Sequence, residues 1–198
     1  LIQFFDEVEF NAMRKKLEAK KASSKDVEYT FIDDLSYDFS TFDESYMIAE
    51  VFKENYLSNE FLGIALSVGK KAFFITPEVV RRSQSFKDYC ENPDITKHAF
   101  FVKRTEVILQ KYGISLKGVG FDLLLATYIL NPANAFEDFK KVSDMYHFTD
   151  INYDESIYGS KSKAHIPDVK VIAKHAVSKA ITLKSCITEA KKQLEAND

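Results

Sequence analysis

Thirty acidic residues, four histidines and two cysteines are the groups through which this 198-residue chain could hold a metal or move a proton. Their spacing excludes several chemistries at once. His98, His147, His165 and His175 stand at no metal-ligand spacing from one another and read as surface or capping residues. Cys90 and Cys186 lie far apart, match no CxxC or zinc pattern, and are simplest as free thiols of a cytosolic protein. No serine or cysteine has a nucleophile-elbow context. There is no GxGxxG and no Walker sequence; Gly113, Gly118 and Gly120 punctuate helices and strands instead. That leaves carboxylates. Asp122, just ahead of the apolar run LLLATYIL, reads as a helix cap rather than a ligand. Tyr158 with Lys161 and Lys163 could touch nucleic acid, but a solvated loop is the preferred reading.

Composition narrows the class. Hydrophobic residues make up 45% and charged residues 29%, the balance of a soluble globular domain. Apolar runs are only a few residues long, so no membrane span is expected. The opening LIQFFDEVEF carries acids where a secretory signal needs bases, so a cytoplasmic location is expected. The formal charge of -3 excludes a strongly basic module that holds DNA by electrostatics alone. The basic residues are nearly all lysine, with Arg14, Arg81, Arg82 and Arg104 the four arginines.

The elements that must position any site follow from periodicity. Residues 1–22, with Phe4, Phe5, Val8, Met13 and Leu17 as a loose apolar stripe, suggest a helix outside the main core. From Ala22 to Ser45 the chain is polar and acidic and reads first as linker, second as an edge strand around Tyr29–Ile32. Residues 1–45 therefore form a linker region and 46–198 the main domain. Tyr46–Phe52, Phe61–Leu66 and Ala72–Ile75 are strand-like, and their short connections imply an antiparallel meander of three strands.

Helical periods follow: from Pro77 to about Tyr89, from Lys103 to Tyr112 with Gly113 just beyond its end, and through LLLATYIL to the stop at Asn131-Pro132. Another helix is expected from about Ala135 to Tyr146, with a short strand near Ala99–Phe101 and an extended piece at Lys117–Gly120. Residues 149–166 show no period. The longest helix runs from Pro167 to about Glu195, where Ile172, Ala176, Ala180, Leu183, Ile187, Ala190 and Leu194 form one apolar stripe. Strands followed by helices give an α/β class with helices flanking a mixed sheet.

Four segments, YMIAEVFKENYLSNEFLGIAL, KKAFFI, KYGISLKGVGFDLLLATYILNP and DESIYG…KHAVSK, resemble in order and spacing the 3′→5′ exonuclease domain of bacterial DNA polymerase I, a family A polymerase. GISLKGVGFDLLLATYILNP is the densest match, and FFDEVEFNAMRKKL is similar to the segment that joins that polymerase's 5′ nuclease domain to the rest. The resemblance implies a ribonuclease-H-like fold. It also implies an active site in which four carboxylates hold two divalent cations about 3.5–4 Å apart: an Asp-x-Glu on the first strand, an aspartate on a helix, and a Tyr-x-x-x-Asp pair on the last helix.

Carried over residue by residue, that pattern is degenerate here. The Asp-x-Glu falls on Ile48-Ala49-Glu50, the helix aspartate on Thr105, and the Tyr-x-x-x-Asp pair on His175 and Lys179. Only Glu50 survives. A lysine ammonium about 4 Å from a divalent ion repels it by several kcal/mol even at an effective dielectric near 20. The expectation is therefore a vestigial, inactive domain with no metal, cofactor or catalytic residue of its own, in which Glu50 and Lys179 pair across strand and helix.

As the resemblance implies, the parent enzyme carries out Mg²⁺-dependent, template-directed nucleotidyl transfer in replication and repair. This domain would pack as a monomer between its polymerase and 5′ nuclease regions and meet DNA only through them. Two rivals remain. One is a residual exonuclease using Glu50 with Glu54, Asp144 or Asp168; the other is a module that holds single-stranded DNA weakly.

Overall fold

The computed structural model describes residues 27–52, 60–134 and 136–197. The expected helix over residues 1–22 lies outside these. Six strands form one mixed sheet: β1 (Thr30–Ile32), β2 (Ser45–Phe52), β3 (Glu60–Val68), β4 (Lys71–Ile75), β5 (Lys97–Ala99) and β6 (Val119–Asp122), in the order β1-β4-β3-β2-β5-β6. β2, β3 and β4 make the expected antiparallel meander, closed by a two-residue turn in which Gly69 takes φ +59°, as a tight hairpin requires. β5 and β6 add in parallel beyond β2, and β1 adds in parallel beyond β4.

Helices cover both faces. They are α1 (Pro77–Arg82), α2 (Gln84–Glu91), α3 (Val102–Gln110), α4 (Leu123–Leu130), α5 (Phe139–Met145), α6 (Asp154–Tyr158) and α7 (Val169–Asn197), with single 3-10 turns at Pro132–Asn134 and Lys161–Lys163. Strand alternation on β2 sorts the core into two halves. Tyr46 and Ile48 face a layer built on α7, whereas Met47, Ala49 and Val51 face α1, α2 and α3.

The differences from the sequence reading have local causes. The stretch expected as linker supplies edge strand β1, and Phe39 and Phe42 beyond it are buried against Phe86, Tyr89 and Phe73, with ring centroids 4.7–5.7 Å apart. Asp34 and Asp38 fold the polar connection by accepting from the backbone N–H and hydroxyl of Ser36 and Ser40, respectively. The single helix expected from Pro77 to Tyr89 is two: Ser83 is extended, ends α1 with its N–H on Val79 O, and starts α2 by accepting from Phe86 N. The helix expected from Ala135 begins at Phe139, capped by Asp138. Residues 149–166, read as a loop without period, contain α6.

Candidate functional site

Glu50 is the last residue of β2 before a register irregularity in its pairing with β3. Opposite it Gly63 takes φ +142°, and a Cβ there would sit 2.5 Å from the Phe74 ring and 2.8 Å from Ile75 O. The pairing is regular up to Glu50, so strand alternation places it on the same side as Tyr46 and Ile48, facing α7. Glu50 is 3% exposed, too deep to remain charged without partners.

Those partners arrive as two pairs with helical i, i+4 spacing. On α7, His175 and Lys179 stack on one side, and on α6, Asp154 and Tyr158 do the same. Lys179 Nζ donates to Glu50 Oε1 at 2.9 Å and Oε2 at 3.0 Å, and lies 2.5 Å from Asp154 Oδ1. An ammonium has three N–H donors, so all of its capacity is used. Tyr158 Oη donates to Glu50 Oε1 at 2.7 Å, and His175 Nε2 donates to Asp154 Oδ1 at 2.7 Å.

Electrostatics follow from this geometry. Burial presses the Lys179 ammonium toward neutrality, but Asp154 and Glu50 outweigh it and hold the group above the ordinary lysine value. Burial likewise works against ionised Asp154, and Lys179 with His175 reverses that, keeping the carboxyl well below the usual range. Tyr158 is driven up by burial and by the Glu50 carboxylate beside it, so it stays a neutral donor.

The other carried-over positions are spent on packing. Ile48 is 1% exposed, in the apolar cluster that holds Ala173, Ala176, Val177 and Ala180 of α7. Thr105 is fully buried on α3, with its hydroxyl directed at the carbonyl of Phe101, 3.5 Å away and just ahead of the helix. The structure thus gathers Glu50, His175 and Lys179 and realises the expected strand-to-helix ion pair.

It also adds Asp154 and Tyr158, which the sequence reading missed. Tyr158 is buried in this network, not at the surface of a solvated loop, while Lys161 and Lys163 are exposed. The Asp154/Tyr158 spacing of four was the available signal, hidden in a five-residue helix. Of the alternative acids, Asp144 pairs with Lys140 and accepts from Tyr153 Oη, Asp168 accepts from Lys170 N at the start of α7, and Glu54 lies outside the described residues.

Among the described residues, ligand atoms of Glu50, Asp154 and His175 lie within 4.8 Å of one another, close enough in principle to share an ion. The donor chemistry does not fit a pair of magnesium ions. Both Glu50 oxygens and Asp154 Oδ1 already accept from the Lys179 ammonium, and a hard cation that dehydrates reluctantly would have to displace it.

Asp122 performs the capping role read from the sequence and extends it. Its carboxylate accepts from Leu124 N and Leu125 N of α4 and from Phe101 N and Val102 N at the start of α3. Phe101 there adopts a left-handed conformation, φ +61°. Both cysteines are free and buried, and burial pushes the Cys186 thiol up to about 12, which removes it as a nucleophile at neutral pH.

Residues 47–186 match the family described as DNA polymerase I, ribonuclease H-like domain. The chain belongs to that family. It is 31% identical over 204 residues to DNA polymerase I of Bacillus subtilis (strain 168), an alignment that takes in 100% of this chain and 23% of that protein. It is 36% identical over 141 residues to the Geobacillus stearothermophilus DNA polymerase I, covering 71% of this chain and 16% of that one. The chain therefore spans less than a quarter of these curated relatives. Among solved structures, Brucella melitensis NrnC superposes with a TM-score of 0.67 at 15% identity, covering 86% of this chain and 84% of that one. That likeness places the fold in the ribonuclease-H-like class that the sequence resemblance implied.

Proposed function

We propose that this exonuclease-like domain is catalytically inactive and serves as a folded platform within a DNA polymerase I. In this reading the surrounding enzyme performs Mg²⁺-dependent, template-directed synthesis in the cytoplasm for replication and repair. The domain itself contributes no metal and no catalytic group, and meets DNA only through its neighbours in the polypeptide.

The observation that carries the reading is the Lys179 ammonium between Glu50 and Asp154, with all three of its N–H groups committed to carboxylate oxygens. A tethered cation between Glu50 and Asp154 occupies the space between them and compensates one of their two negative charges permanently. It cannot activate water or stabilise a leaving oxygen as an exchangeable metal ion does. The adjacent cavity of about 340 Å³ supports the same reading, because Glu137, Asp138, Asp154 and Glu155 on its wall outnumber the cations Arg104 and Lys141. Such a wall favours neither a phosphate backbone nor tight single-strand binding.

Residual exonuclease activity is the second reading, favoured by the proximity of Glu50, Asp154 and His175. Incubating the protein with 5′-labelled single-stranded DNA and Mg²⁺ or Mn²⁺ separates the two. The platform reading predicts no shortening from the 3′ end above a metal-free control. Clear trimming that Glu50→Ala abolishes would defeat it.

A further inference from the structure

The helix α4, LLLATYIL, contains no charged residue and is apolar on every side, a composition normally found in helices that are buried all round. Here only half of it is buried. Leu123, Ala126 and Thr127 face inward, and the helix packs on α7. Leu125, Tyr128 and Ile129 are 56%, 53% and 63% exposed, the three most exposed large apolar side chains among the described residues. Their i, i+3, i+4 spacing places them side by side as one patch. Edge strand β6, which runs directly into α4, adds Val119 at 40% exposure. Contiguous apolar patches of this kind mark contact surfaces.

The course of α7 bears on what could reach this patch. Its final turns reach the same end of the molecule: Lys191 Nζ lies over the Phe121 ring of β6 at 5.4 Å. The six residues that follow Lys191, up to Asn197, add about 9 Å of helix. The C-terminal end of α7 therefore lies near β6 and the start of α4. In the Bacillus subtilis relative, most of the chain lies outside the region that matches this domain.

We propose that the Leu125/Tyr128/Ile129 face of α4 is the surface on which the polypeptide that follows this domain in a polymerase I chain packs. The inference rests on the platform reading and gives it an interface. A covalently attached neighbour emerging next to an apolar patch meets it at high effective concentration, without needing a large contact area of its own.

The test uses the full chain encoded by the gene and hydroxyl-radical footprinting, with rates normalised for the intrinsic reactivity of each residue type. Val171 and Ile181, exposed by 44% and 41% on α7, are internal references. The expected result is that Leu125, Tyr128 and Ile129 label several-fold more slowly than both references, independently of protein concentration. Equal or faster labelling would overturn the proposal, as would protection that appears only with concentration-dependent dimerisation in sedimentation, or a reading frame that stops at Asp198. None of these outcomes depends on whether DNA is trimmed, so failure of the inactive-site reading would leave a distinct signature.

Discussion

The two sides of β2 solve the problem of burial differently. On the α1–α3 side, Met47, Ala49 and Val51 join Phe39, Phe42, Phe73, Phe86 and Tyr89 in a layer of interlocking apolar and aromatic side chains. On the α7 side, the same strand delivers Tyr46 and Ile48 to an apolar cluster and then Glu50 to a buried network of charge. The first layer is held by many small, non-directional contacts, so no single neighbour is indispensable to another. In the second, each charge depends on one or two named partners, and removal of one leaves its counterpart short of a partner. The polar centre is thus the half of the core whose stability depends on pH.

The largest effects are expected from one deletion on each side. Lys179→Met leaves Glu50 buried without its counter-charge, with only the Tyr158 hydroxyl on it, and should destabilise the protein by about 3–5 kcal/mol in urea unfolding. Phe86→Ala, which empties a fully buried site, should cost a similar ~3–5 kcal/mol. The two are separated by pH.

The Asp154 carboxyl is held below its unfolded value, so its contribution is present above about pH 4 and is lost as pH falls through the lower folded value. The Lys179 ammonium is held above its unfolded value, so its contribution is present below about pH 10 and is lost as pH rises through the higher folded value. The stability gap between wild type and Lys179→Met should therefore narrow as pH falls into acid and again as pH rises past about 10. The Phe86→Ala gap should not follow pH in this way. A Lys179→Met gap that is flat into strong acid would contradict the comparison.

A smaller effect isolates the pair itself. In a cycle of Glu50→Gln, Lys179→Met and the double variant, the coupling should be about 0.5–3 kcal/mol. Zero coupling would remove the ion pair as a structural element. Asp122→Ala probes a third arrangement, a carboxylate that accepts from backbone N–H groups of two helix starts. Losing the caps of both α3 and α4 should cost about 2 kcal/mol, and thermal unfolding with far-UV circular dichroism would measure it.

What the sequence revealed and concealed follows the same division. The meander and the α7 stripe were legible because strand and helix periods persist over enough residues to be counted. The Glu50–Lys179 pair was legible because the family pattern set both residues at positions that must face each other. Phe39 and Phe42 were not, since isolated aromatics among Asp and Ser carry no period; only a three-dimensional partner such as Phe86 gives them a role. Asp154 and Tyr158 were missed for a related reason: one turn and a half of helix is too short to register as amphipathic. The break at Ser83 was concealed because its flanking residues continue a helical pattern that the serine interrupts only by capping.

The central claim is that a tethered ammonium, bonded to both Glu50 oxygens and to Asp154 Oδ1, holds the place between these acids that a metal ion would need. The most direct measurement is anomalous scattering from a crystal of the protein soaked in Mn²⁺ near neutral pH. The account predicts no manganese within bonding distance of Glu50, with the Lys179 ammonium in place between Glu50 and Asp154. Manganese ions coordinated by Glu50 and Asp154, with Lys179 displaced, would contradict it.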